Sequence, residues 1–181
     1  GSHRLWLNTG NGFFFDVTVQ LPYANFPPVI SSCDNFQPRA VESADFNGDT
    51  YPDLYVVGNG RNRLLFNRGT IQPGFYVDVT AANVPNVTSN SRGVATQDLN
   101  NDGYPDLFVC NIDTDRVNLG NASGILSDVT ATNWPPESQP YRYSFSGCTA
   151  VPGPVASSSC ALGDVDGDGD QDIVLAGGDG S

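Results

Sequence analysis

The apolar positions of this chain fall into short runs rather than helical stripes. Leu54-Tyr55-Val56-Val57, Leu107-Phe108-Val109-Cys110 and Ile173-Val174-Leu175-Ala176 are rich in β-branched and aromatic side chains and are bounded by Gly, Asn and Asp. Runs of that length and composition predict buried strands. A further short strand precedes each: Ala40–Ala44, Gly93–Gln97 and Cys160–Gly163. The first two runs are followed by Arg-led strands, Arg63–Asn67 and Arg116–Gly120, and a Gly-containing turn. A closing strand then ends in Asp-Val-Thr, at Phe75–Thr80 and Leu126–Thr130. No segment carries a convincing helical period.

The pattern is therefore a repeat of four short strands, A to D. Its landmark aspartates, Asp45, Asp98 and Asp164, are 53 and then 66 residues apart. A four-stranded unit recurring at that interval predicts a β-propeller blade. Arg4–Asn8 and Phe13–Thr18 read as strands C and D alone, and the last repeat as A and B alone. The expected fold is all-β: propeller blades of four antiparallel strands, about three blade-equivalents, in the order CD-ABCD-ABCD-AB. Within a single partial propeller over 1–181, this places half blades at 4–18 and 160–178 and blades at 39–80 and 92–130. Three blade-equivalents are too few to close a ring. The halves are expected to complete one another between two copies, as a homo-oligomer, unless the chain is part of a longer propeller. The absence of Met reads as an excised or processed piece.

The A–B turns carry the chemistry. Each places oxygen side chains at positions 1, 3, 5 and 9, with a backbone carbonyl at position 7. The candidate ligands are Asp45, Asn47, Asp49, Tyr51 (carbonyl) and Asp53, then Asp98, Asn100, Asp102, Tyr104 (carbonyl) and Asp106. The third set is Asp164, Asp166, Asp168, Asp170 (carbonyl) and Asp172. An all-oxygen set suits Ca²⁺, which takes about six to eight oxygens, whereas transition metals favour imidazole or thiolate. About three Ca²⁺ ions per chain are expected. Position 12 is Val56, Val109 or Leu175, so the loop is not an EF-hand, which needs Glu there. Thr50 stands where the other loops have Gly103 and Gly169, which predicts strain if that position requires positive φ.

Charge follows from these loops. The net charge is −12, and eleven of the twenty acidic residues lie within them. Three bound Ca²⁺ would halve that charge, so the acidity is mainly cation-site chemistry. It also excludes nucleic acid, since no basic patch is present to meet phosphates.

The Asp-x-Asn/Asp-x-Asp core followed by an apolar strand resembles the VCBS/FG-GAP repeats of integrin-α-type β-propellers, over essentially the whole chain. The Phe-Gly and Gly-Ala-Pro flanks of integrin repeats are replaced by Val57-Gly58-Asn59 and Ala176-Gly177-Gly178. The resemblance implies a calcium-stabilised, non-catalytic module that binds extracellular proteins or glycans in adhesion or recognition. Alternatives are the propeller portion of a secreted enzyme, such as a polysaccharide lyase or phospholipase, and an assembly scaffold.

The remaining residues narrow these readings. The one histidine, His3, lies at the chain start, so Ser–His and Cys–His pairs elsewhere fail on inventory. No apolar run is long enough to span a membrane. Four cysteines fit an oxidising, extracellular compartment. Cys148–Cys160 is the favoured pairing and Cys33–Cys110 a second, although Cys110 also reads as a buried thiol. Trp134, Tyr141 and Tyr143, in the last D–A connection, are the candidate ligand-binding residues.

Overall fold

The computed structural model describes residues 4–21, 36–72, 74–133 and 156–177. Its strands are β1 (Trp6–Asn8), β2 (Phe14–Asp16), β3 (Gln37–Ala44), β4 (Asp53–Gly60), β5 (Arg63–Asn67) and β6 (Tyr76–Asp78). They continue as β7 (Ser89–Gln97), β8 (Asp106–Asn111), β9 (Arg116–Leu119), β10 (Ser127–Asp128), β11 (Ser157–Gly163) and β12 (Asp172–Gly177). Every pairing is antiparallel, with consecutive strands joined as meanders: β3 to β6 and β7 to β10. The pairs β1–β2 and β11–β12 stand as two-stranded sheets. The fold is all-β and propeller-like.

One feature departs from separate blades. β4 is paired with β5 only over Leu54–Val56, and its far end continues to Gly60. There Asn59 pairs with Asn90 and Gly60 with Ser89, so β7 joins β4 in one curled eight-stranded sheet. Backbone donors and acceptors left open by the short β5 find their partners in the next unit.

The closing strands also stop earlier than expected. Thr80 and Thr130 do not extend strand D but open short helical turns, α1 (Thr80–Asn83) and α2 (Thr130–Asn133), and Thr18 opens a 3₁₀ turn (Thr18–Gln20). The cause is local. Oδ1 of Asp16, Asp78 and Asp128 accepts the amide of Thr18, Thr80 and Thr130, bending the chain out of the strand. Each threonine Oγ1 in turn accepts a strand C amide, from Leu5, Leu64 and Val117 at 3.0–3.1 Å. Arg4, Arg63 and Arg116 pair with those same aspartates across the C–D hairpin. The Arg-led strand and the Asp-Val-Thr ending are two halves of one clasp.

Burial explains the uninterrupted apolar runs. In β8, Leu107 and Val109 join Phe46, Tyr55, Val57, Leu64, Val84, Val94 and Leu126 in the core between the first and second meanders. Phe108 and Cys110 point the other way and form a second core with Val117, against which Cys160, Leu162 and Ile173 pack. All six residues of β8 are buried, so alternation is lost as it is in any strand covered on both faces. β7 packs against both β3 and β11, so the A strands line up side by side. In β12, Val174 and Leu175 are exposed, in line with the absence of a third strand on that sheet among the described residues.

Candidate metal centres

Each A–B turn is built by its own carboxylates before any ion is considered. In the first loop, Asp45 Oδ1 accepts the Asp49 amide at 3.0 Å and Oδ2 accepts the Thr50 amide at 2.7 Å. Asn47 Oδ1 accepts the Asp49 amide and Asp49 Oδ1 the Tyr51 amide, both at 2.9 Å. The second loop repeats the bonds through Asp98, Asn100 and Asp102. The third differs at one point, where Asp164 Oδ1 accepts from Gly167 rather than Asp168. These are nested Asx turns, which aim several oxygens inward by purely local bonding.

Two sharp backbone positions make the turn possible. Position 4 has positive φ in all three loops, at Gly48 (74°), Asn101 (59°) and Gly167 (82°). Position 6 does too, at Thr50 (74°), Gly103 (88°) and Gly169 (98°). Thr50 is a β-branched residue in the left-handed region, so the first loop is strained where the others are relaxed.

The ninth-position aspartates tie the loop to the sheet. Oδ2 of Asp53, Asp106 and Asp172 accepts the amide of Phe46, Leu99 and Val165, at 2.8–3.0 Å. Oδ1 of Asp53 and Asp106 accepts the amide at the far end of strand C, from Asn67 and Gly120, both at 2.8 Å. Asp53 and Asp106 are fully buried. Burial pushes Asp53 up to about 6 against the pull of those two amides, and neighbouring Asp49 and Asp45 add to the rise. Asp106 is raised for the same reasons, burial first. A buried carboxylate among other acids is the arrangement a bound cation relieves.

The donor set fits a hard divalent cation. Oxygens of Asp164, Asp166 and Asp172 lie within 4.8 Å of one another, the one such gathering of three carboxylates among the described residues. Asp168 is not in that group. In the first two loops an amide, Asn47 or Asn100, holds the third position, and its Nδ2 donates to the fifth-position Asp49 or Asp102. An ion there would replace that amide–carboxylate bond with ligation through the amide oxygen. The Tyr51 ring lies against Gly69, where an added Cβ would come within 2.8 Å of it, so the ring is turned to the sheet rather than offered as an oxygen donor.

Residues outside the loops contribute what sequence reading missed. Asn62 and Asp115 occupy the same place, just ahead of Arg63 and Arg116, and both are buried. Asn62 Oδ1 accepts from the Gly58 amide and from Ser91 Oγ of the next meander. Asp115 accepts from the Asn111 amide and from Ser157 Oγ of β11, both at 2.7 Å. Each B–C turn thus holds the A strand that follows it. A polar residue just before the Arg was the available signal. Trp134, Tyr141 and Tyr143 lie outside the described residues, as do Cys33 and Cys148. Cys110 and Cys160 are free thiols.

A sequence profile of the FG-GAP-like repeat matches residues 45–109 and 98–175, each match running from one aspartate loop to beyond the next. No curated protein matches the chain. No described helix is long and apolar enough to cross a membrane.

Proposed function

The chain belongs to the FG-GAP-like repeat family, and from that premise we propose that it is a non-catalytic, Ca²⁺-stabilised propeller module for recognition or adhesion outside the cell. The observation that carries this reading is the threefold recurrence of one oxygen ladder on consecutive A–B turns, each closed by its ninth-position aspartate at the start of strand B, which in the first two turns also reaches strand C. The ligands are Asp45, Asn47, Asp49, Tyr51 and Asp53, their counterparts from Asp98 to Asp106, and those from Asp164 to Asp172. When bound, the ions supply positive charge that cancels repulsion among clustered carboxylates. The chain's own residues do the rest: the Asx turns orient the oxygens, and Asp53 and Asp106 pass the constraint into the sheet.

A stabilising role agrees with an extracellular setting, where modules of modest affinity are filled by ambient calcium. The blades would then present their long D–A connections to a glycan or protein, with Trp134, Tyr141 and Tyr143 as the contacting aromatics. Calcium titration by calorimetry, with molar mass measured in parallel, tests the core of the proposal. About three ions per chain and a calcium-dependent rise in melting temperature are expected. Heat-silent titration with an unchanged melting temperature would remove it. Doubling of the molar mass would support half blades completing one another between copies, and a monomer would exclude it. Loss of glycan-array binding in W134A, Y141A and Y143A would place the ligand on that face.

A further inference from the structure

The joint between the second meander and β11–β12 contains two thiols. Cys110 is fully buried in β8, and Cys160 of β11 packs against the same apolar cluster. The Cys110 thiol is perturbed by its neighbour Cys160, whose Sγ donates to the Phe108 carbonyl oxygen at 3.7 Å, on the residue two before Cys110 in β8. Gly93 accounts for the closeness. It pairs with Cys110 across β7–β8, and a Cβ there would stand 3.1 Å from Ser159 Cα and 3.6 Å from Cys110 Cβ. A side chain on that residue would push β11 away.

The preceding joint shows what the position ordinarily holds. Counting from the ninth-position aspartates, Cys110 corresponds to Val57; counting back from the ends of the A strands, Cys160 corresponds to Val94. Val57 and Val94 are both buried in the core between the first and second meanders. An apolar pair at one joint is thus replaced by a dithiol at the next.

We propose that Cys110 and Cys160 form a disulfide clasp that locks the second repeat to the third under oxidising conditions. The oxidant is a small-molecule disulfide of the glutathione class. The sulfur of the half-buried Cys160 attacks it, breaking the glutathione S–S bond and forming a mixed disulfide, with release of one glutathione thiol that takes up the Cys160 proton. Cys110 then displaces the second glutathione, forming the Cys110–Cys160 bond. Both protein thiols lose their protons to the departing glutathione thiolates, and the two electrons lost by the protein reduce one disulfide to two thiols. Cys110 is fully buried and Cys160 only partly so, which makes Cys160 the entry point and Cys110 the resolving group; the neighbouring Cys160 and burial also push the Cys110 thiol up. This pairing differs from the Cys148–Cys160 link expected from proximity in sequence.

The test uses the full chain equilibrated in glutathione redox buffer, digested without reduction and mapped by mass spectrometry. A peptide pair joining Cys110 to Cys160, lighter by two hydrogens and separated by reductant, is expected, and it should persist in C33S/C148S. Oxidation should favour the folded state by at least about tenfold. Recovery of Cys160 linked to Cys148, or of Cys110 and Cys160 both open to alkylation under oxidising native conditions, would overturn the proposal. C110V/C160V copies the other joint and should fold; a redox-dependent melting shift as large in C110V/C160V as in the unaltered chain would overturn it equally.

Discussion

Thr50 is held at φ 74° because the loop needs a left-handed residue between the fifth and seventh ligand positions. Gly103 and Gly169 meet that need without a Cβ penalty. Thr50→Gly is therefore expected to stabilise the chain by about 1 kcal/mol and to tighten calcium at the first loop alone, read by urea denaturation and by calorimetry. Asp115 poses a different residue-scale question. Asn62, its counterpart, also lies beside the buried Tyr55, whose hydroxyl it influences, and Phe108 stands where Tyr55 does. An amide at 115 would lack that hydroxyl, and a carboxylate occupies the site. Burial raises Asp115 above the usual carboxylate range, against bonds from Ser157 and the Asn111 amide.

The sign of its pH effect follows. The folded chain holds this proton to higher pH than the unfolded chain does. Its contribution is full below the ordinary carboxylate value of about 4 and is lost as pH rises through the raised one. Asp53, raised to about 6, acts in the same direction. Metal-free protein should therefore lose stability between about pH 4 and pH 7, with a shallower decline in D115N, measured by urea denaturation in chelator. Asp128 lies outside that window: burial raises it, but Thr130 and the Arg116 guanidinium bring it below the usual range.

At the scale of elements, the C–D clasp is the least obvious and most repeated device. Asp turns the chain, Thr returns to strand C, and Arg bridges the hairpin, three times over. Thr80 is buried, and Thr80→Val would leave the Leu64 amide without its acceptor inside the core. A loss of about 1–3 kcal/mol is expected. Thr18→Val at the exposed first hairpin should cost less, and the two urea midpoints compare them. The sequence marked these residues through recurrence alone. Their contacts join strands twelve or more residues apart, so the motif was visible while its action was not.

Across the whole molecule, stacking of one meander on the next decides which apolar residues count. Leu107→Ala removes a fully buried side chain from the core between the two meanders and should cost about 2–5 kcal/mol. Val174→Ala, on the exposed face of β12, should cost far less in the chain alone. Chelation is expected to lower the melting temperature of the wild-type chain and to do so more weakly in D53N/D106N, which removes two of the ties between loop and sheet.

The strand order, the antiparallel meanders and the three aspartate turns were determined by contiguous residues. Asx bonding, left-handed glycines and short β-branched runs act within a few positions, and a linear reading captures them. Tertiary structure alone decided the β4–β7 pairing, the two-sided burial of β8, the Asn62 and Asp115 links and the juxtaposition of Cys110 with Cys160. Each depends on how closely one unit can approach the next, and that distance is set by packed side chains and by the missing Cβ of Gly93, which no local pattern records.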